Sequence, residues 1–257
     1  KDGVNNIAFS ADGRKVVSAS DYSGVQIWDV ESRKLLQTFE RHINMVFAAR
    51  FLPDEHTIVS CSRDGTIRLW DVNAGTEIIT FKRGLDIVWD VNFSPDGMYI
   101  VADRHSKPVL NTQFSYDGKM IVSSTDETIY LWDIESGEIL KQFKGHSNSV
   151  IRVKFSPDDK FIVSCSRDNT VRIWNIETGM ESNILNGHSS DVLDITYFPD
   201  DQTIASCSDD TTIRLWNIES GKEIQKLKGH HRINCIDVSQ NGNKIVSAFR
   251  KIEIWGL

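Results

Sequence analysis

Histidine, serine and aspartate together are the raw material of acyl transfer, in which an imidazole takes a proton from a hydroxyl nucleophile and a carboxylate steadies the imidazole. Five of the seven histidines, His42, His105, His146, His188 and His230, fall at one recurring slot, with serines and aspartates downstream of them. A single such set would invite a hydrolase reading. Copies at one period point instead to a structural device that ties repeated turns together, so no catalytic residue is assigned. Other chemistry is sparse. No GxGxxG, phosphate-binding loop, GxSxG or HExxH motif occurs. The four cysteines, Cys61, Cys165, Cys207 and Cys235, make no CxxC pair, and three sit in the same Ser-Cys-Ser setting. That pattern reads as a small buried thiol in a strand rather than a disulfide or a metal ligand. His56 lies in a surface turn, and His231 beside His230 lacks carboxylate or thiolate partners, so neither a metal nor a cofactor is expected.

Turns of the Ser-Pro-Asp-Gly kind place Asp12, Asp54, Asp96, Asp117, Asp158, Asp200 and Asn241 at steps of 41–42 residues, broken once by a 21-residue step from Asp96 to Asp117. Between the turns run short alternating segments such as Val150 to Phe155, Phe161 to Ser164 and Val171 to Trp174. Alternation bounded by Pro, Gly and Asp turns is the signature of strands and hairpins. Four strands in a unit of about 42 residues match a propeller blade. Sustained helical periodicity is absent. With 29 basic against 36 acidic residues the formal charge is −7, which argues against direct binding of a nucleic-acid backbone. No apolar run approaches the roughly 20 residues of a membrane-spanning helix, and no signal peptide is visible. Cysteines without disulfide spacing suit a reducing, intracellular compartment, cytoplasmic or nuclear.

The sequence resembles the WD-repeat β-propeller family along almost its whole length. The likeness rests on Gly145-His146, Gly187-His188 and Gly229-His230, on Trp70-Asp71 and Trp132-Asp133, and on the near variants Trp174-Asn175 and Trp216-Asn217. In that family a His, a Ser or Thr, an Asp and the Trp of each blade form a buried hydrogen-bonded chain. Carried over residue by residue, the chain would comprise His42, Ser60, Asp64 and Trp70; His105, Ser123, Asp126 and Trp132; His146, Ser164, Asp168 and Trp174; and His188, Ser206, Asp210 and Trp216. The expected fold is all-β, a seven-bladed propeller in one domain. Its units span 1–40, 41–82, a truncated 83–103, 104–144, 145–186, 187–228 and 229–257.

The third unit would lack its two outer strands. Either a deletion or an omitted segment at residues 103–104 accounts for this, and the register held on both sides favours the omission. The last unit would lack its outermost strand. Family members commonly supply that strand from their N-terminus, so the chain is expected to be a portion of a longer one.

The resemblance implies no enzyme but a scaffold for protein or peptide partners within a multi-protein complex, docked on the narrow face of the disc. The family's face positions here are Met45, Phe47, Arg63, Ile87, Trp89, Leu110, Arg167 and Phe249. Trp89 is the one tryptophan outside the recurring slot; it either meets a partner or fills the channel beside the short unit. A sensor or autoinhibitory module of a larger regulatory protein, such as a signalling NTPase, is the alternative. A propeller enzyme would need acid–base groups in the channel, where the inward positions read as mostly apolar and only Asp191 and Asp209 form an acidic pair.

Overall fold

Short alternating strands closed by Asp, Asn or Gly turns can bury their apolar side chains by forming narrow antiparallel sheets stacked face to face. The computed structural model describes residues 3–22, 24–82, 87–102 and 110–256, and within them the regular structure is all strand. The first sheet is β1 (Val4–Phe9), β2 (Lys15–Ser20), β3 (Val25–Asp29) and β4 (Leu35–Phe39); the second is β5 (Val46–Phe51), β6 (Thr57–Ser62), β7 (Thr66–Asp71) and β8 (Thr76–Lys82). A two-stranded ribbon follows, β9 (Val91–Phe93) with β10 (Ile100–Ala102). The fourth sheet comprises β11 (Asn111–Phe114), β12 (Met120–Ser124), β13 (Thr128–Asp133) and β14 (Ile139–Lys144). The fifth is β15 (Val150–Phe155), β16 (Phe161–Ser166), β17 (Thr170–Asn175) and β18 (Glu181–Asn186). The sixth is β19 (Val192–Tyr197), β20 (Thr203–Ser208), β21 (Thr212–Asn217) and β22 (Glu223–Lys228). The last has three strands, β23 (Cys235–Val238), β24 (Lys244–Ala248) and β25 (Ile252–Gly256).

In every sheet the strands pair antiparallel in chain order. The first strands neighbour one another in turn, β1 to β5, β9, β11, β15, β19 and β23, and β23 meets β1 again. The sheets therefore stand radially around a closed circle, the arrangement of a β-propeller. Six of them have three or four strands and are blades. The expected seven blades are not met. At the third position the 21-residue step between Asp96 and Asp117 leaves length for two strands only, and the β9–β10 ribbon stands there.

The core lies between sheets. Phe39 of β4 packs its ring 5.1 Å from that of Trp70 in the following sheet, and Phe143 of β14 lies 5.9 Å from Trp174 in the sheet after its own. Leu185 of β18 shares a cluster with Trp216 in the same way. These three outer strands thus cap the tryptophan of the following sheet, and loss of one such aromatic side chain costs about 3–5 kcal/mol. Cys61, Cys165, Cys207 and Cys235 are buried and unpaired, and burial pushes each thiol pKa well up, which makes them inert packing groups.

The turns between first and second strands need one residue with positive φ. Gly13, Gly97, Gly118 and Gly242 fill that place, whereas Glu55, Asp159 and Asp201 adopt φ of 55–57° there. A side chain in that conformation is strained. Two of the three use it to reach the preceding sheet: Glu55 accepts from Asp12 N at 2.8 Å, and Asp159 from Tyr116 N and Asp117 N at 2.9 and 2.8 Å.

Candidate functional site

In the second, fifth and sixth sheets the recurring residues meet in one geometry. The indole N–H groups of Trp70, Trp174 and Trp216 donate to Ser60, Ser164 and Ser206 Oγ, each at 2.8 Å. The same hydroxyls contact Nε2 of His42, His146 and His188 at 2.7–2.8 Å. Nδ1 of those rings meets Asp64, Asp168 and Asp210 at 2.9, 2.7 and 2.9 Å. The order carboxylate, imidazole, hydroxyl is that of a hydrolase. Here, however, all three serines are fully buried and each hydroxyl is already engaged by an indole, so no substrate can reach it.

Burial by itself would raise the three aspartates, but hydrogen bonds from Thr66 and His42, from His146 and Thr170, and from Thr212 and His188 overcome it and hold all three low, Asp210 at about 2. Burial lowers His42 and His188, partly offset by their aspartates. At neutral pH those two rings are uncharged: the indole gives its proton to serine, serine to Nε2, and Nδ1–H to the carboxylate.

The linkage has a definite sign. As pH falls below 6.5 the unfolded chain protonates His42 and His188 before the folded one does, so their contribution is full above pH 6.5 and declines below it. A second loss begins near pH 3.8 as the unfolded aspartates take protons; for Asp210 it ends near pH 2, and Asp168 is held lower still. The melting temperature should therefore fall between pH 7.5 and 5, and a His42→Gln/His188→Gln variant should fall less over that range. Equal slopes in calorimetry would disprove the assignment.

The fourth set is described only in part. Trp132 donates to Ser123 at 2.8 Å, but His105 lies outside the described residues. Asp126 corrects the expectation: it is exposed, whereas the side chains of Asp64, Asp168 and Asp210 are 2–5% exposed. Its strand–turn segment is one residue shorter, nine from Ser123 to Trp132 against ten in the other three sets. The reading also missed two partners. Thr66, Thr170 and Thr212 donate to the aspartates at 2.5–2.6 Å. Arg68, Arg172 and Arg214 bind Glu77, Glu181 and Glu223 on the adjoining outer strands. The repeated Thr-x-Arg-x-Trp, with Glu nine residues after Arg, was the available signal.

The expected partner face lies where first strands begin and second strands end. Backbone bonds fix it: Arg63 N donates to Met45 O at 2.9 Å and Arg167 N to Ser149 O at 3.0 Å. The ladder skips Asn5, Phe47, Ile151 and Leu193, so each is the extra residue of a bulge. Bulges re-aim side chains, and Phe47 is aimed onto Trp89, with ring centroids 4.6 Å apart and planes at 26°. Trp89 keeps 36% of its surface exposed, between buried Val88 and buried Asp90. Met45, Ile87 and Leu110 are half-buried on the same rim, and Arg63 is exposed.

Phe249 is grouped separately. Arg232 and Arg250 stand 5.5 and 5.3 Å from its ring centre. Arg167 faces Asp191 at 3.7 Å and Arg232 faces Asp209 at 3.0 Å, so both members of the supposed acidic pair are met by guanidinium groups.

The channel contradicts the apolar expectation. Every junction between neighbouring first strands carries a polar link. Asn6 Oδ1 accepts from Ala49 N at 3.3 Å, Arg50 Nε donates to Val91 O at 3.2 Å, and Asp90 Oδ2 accepts from Asn111 Nδ2 and Thr112 N at 2.7 and 3.2 Å. Asn111 Oδ1 accepts from Val153 N at 2.9 Å, and Lys154 Nζ donates to Thr196 Oγ1 at 3.1 Å. Asp194 Oδ2 accepts from Ile236 N at 3.0 Å, and Asp237 Oδ2 from Phe9 N at 2.8 Å, which closes the circle. Arg50 lies 3.6 Å from Asp90, and Arg152 3.7 Å from Asp194. These carboxylates are committed to neighbouring sheets and act as joints between them.

Comparison with known proteins adds to this geometry. A family model described as the IFT122 first beta-propeller matches residues 108–256, and one described as WD domain, G-beta repeat matches residues 1–29 and 33–71. The human U5 small nuclear ribonucleoprotein 40 kDa protein is 39% identical over 61 residues, 23% of this chain and 17% of that protein. Human WD repeat domain-containing protein 83 is 39% identical over 70 residues, 26% of this chain and 22% of that one. A probable cytosolic iron-sulfur protein assembly protein CIAO1 homolog of Caenorhabditis elegans is 35% identical over 68 residues, 25% and 20% of the two chains. The matched stretches span about a fifth of these relatives' length.

Proposed function

The chain belongs to the WD-repeat β-propeller family, in the group of the IFT122 first β-propeller, and on that footing we propose that it is a non-catalytic scaffold that docks a protein or peptide on the rim around its channel. The observation that carries this reading is the stacked Phe47–Trp89 pair. A bulge holds one ring against the other, and the tryptophan stays over a third exposed on a rigid rim. Tryptophan and arginine are enriched among residues that dominate interface energetics, and Arg63 stands on the same rim. Buried, fully engaged serines and channel carboxylates tied to backbone N–H groups support binding over catalysis.

The β9–β10 ribbon is read as the inner half of a seventh blade, so that the docking rim is a seven-position ring. The relatives' names refer to a ribonucleoprotein and to an assembly protein, which favours a partner within an intracellular multi-protein complex. Trp89→Ala combined with Phe47→Ala should lower recovery of co-purifying proteins at least tenfold in affinity capture read by mass spectrometry, with the melting transition retained. An unchanged set of captured proteins would refute the rim as the docking face.

A further inference from the structure

In the second, fifth and sixth sheets the turn between second and third strands carries an acid, Asp64, Asp168 or Asp210, each engaged by a histidine ring. The last sheet departs from that rule. Trp255 Nε1 still donates to Ser247 at 2.8 Å, but eight residues separate the two where Ser164 and Trp174 are ten apart. The shortened turn reads Phe249-Arg250-Lys251, with no carboxylate and two adjacent cations. Its place is fixed from the inner side. Phe249 O accepts from Val4 N at 2.6 Å, and Asn234 Nδ2 donates to Val4 O at 2.9 Å. The turn therefore stands beside the first strand of the first sheet, on the rim around the channel.

The connection from β22 to β23 brings further basic groups to the same ring. Arg232 and Arg250 stand over Phe249 with their guanidinium carbons 5.5 and 5.3 Å from its centre, and the exposed His231 ring lies 6.4 Å away. Cation–π attraction favours each guanidinium there, yet it gathers two like charges at one side chain. Arg232 has a counter-charge in Asp209 at 3.0 Å. That contact and its bond to Asn234 Oδ1 at 2.9 Å both run through Nε, so its terminal nitrogens are unengaged among the described residues. Arg250 and Lys251 are exposed and form no ion pair among the described residues, not even with Glu253 two positions on. In a chain of net charge −7, two cations are thus left uncompensated at one aromatic ring. We infer that this cluster is an anion site, and that its anion is the phosphoryl group of a phosphorylated serine or threonine in a docked segment.

At neutral pH such a group carries about −1.5 to −2 charge and three acceptor oxygens, against one charge and two oxygens on a carboxylate. It matches the two uncompensated cations and offers acceptors to Arg232, Arg250 and Lys251 together. Charge-assisted bonds of this kind are the strong ones. The inference rests on the docking reading only for the source of the phosphoryl group. A lipid headgroup shares the chemistry, but Asp191 and Asp209 stand on the same rim, where an anionic membrane surface would meet them too. A single group on a peptide reaches the cations without them.

The test uses the full chain and three labelled peptides, Ala-Ala-Xaa-Ala-Ala with phosphoserine, serine or glutamate at the centre. The phosphoserine peptide should bind at least tenfold more tightly than either of the others by fluorescence anisotropy. Arg250→Gln combined with Lys251→Gln should remove that preference at an unchanged melting temperature. Lys222→Gln with Lys226→Gln, exposed cations of the sixth sheet, should keep it. Equal binding of the three peptides, a preference that survives loss of Arg250 and Lys251, or one lost equally with Lys222 and Lys226 would overturn the inference. So would vesicles of phosphatidylcholine and phosphatidylinositol bisphosphate that displace the peptide as well as its unlabelled form does. Phe47→Ala with Trp89→Ala should leave the phosphopeptide affinity unchanged, since the two sites share no residue. Protein capture that persists in that variant refutes the docking rim and leaves the phosphoryl site standing. Capture that needs Phe47 and Trp89 yet withstands phosphatase treatment of the lysate keeps the rim and overturns the phosphorylated segment.

Discussion

Replacing Asp168 with alanine should destabilise the fold by about 3–5 kcal/mol, the cost of stranding buried donors around a deleted charge. Asp168 accepts from His146 Nδ1, Thr170 Oγ1, Ser147 N and Thr170 N at 2.6–3.1 Å, and its side chain is 4% exposed. At roughly 2–4 °C per kcal/mol for a chain of this size, the melting temperature should drop by about 10 °C. Asp168→Asn, which keeps one acceptor oxygen, should lose less. Capture of partners through Phe47 and Trp89 should survive in both variants below their melting points. If Asp168→Ala melts within 2 °C of the parent, the network is not what holds the blade.

Asp237→Ala should cost about 2–4 kcal/mol, because it leaves donors without an acceptor at the junction that closes the ring. Its carboxylate accepts from Phe9 N in the first sheet at 2.8 Å and from Val238 N at 3.0 Å. The residue is half-buried. Burial pushes its pKa up while Lys154 pulls it down, and burial lowers Lys154 in turn. Deleting the carboxylate removes a counter-charge from Lys154 as well as the link to β1. In hydrogen exchange the amides of β1 and β23 should lose protection ahead of β12, which lies on the far side. Uniform loss across all sheets would show that this junction is no weaker than the rest without Asp237.

The blades were legible because each repeats a pattern that its neighbours confirm. Trp70, Trp174 and Trp216 recur at fixed distances from a glycine turn, and a period survives a single defect. The exposure of Asp126 was not legible because a one-residue shortening leaves residue type unchanged. The inter-sheet links escaped notice for the opposite reason. Asn6 and Asp194 stand two residues after the opening Val of their strands, Arg50 and Lys154 stand four after theirs, and Asp90, Asn111 and Asp237 make the same links from the start of their sheets. They share a place but not a residue type, so a search for recurring letters passes over them. Phe47 was singled out by position, yet its stacking on Trp89 depends on a bulge, and bulges arise from pairing between strands, which one segment alone does not display. Arg68 and Glu77 are nine residues apart on adjacent strands, and only the ladder brings them face to face.

The four thiols buried where the sheets meet have a practical consequence. Shut off from solvent and held protonated, they stay silent toward alkylating reagents for as long as the propeller is intact. Their rate of labelling is thus an intrinsic clock for how often the disc breathes, read in four different sheets without any engineered probe.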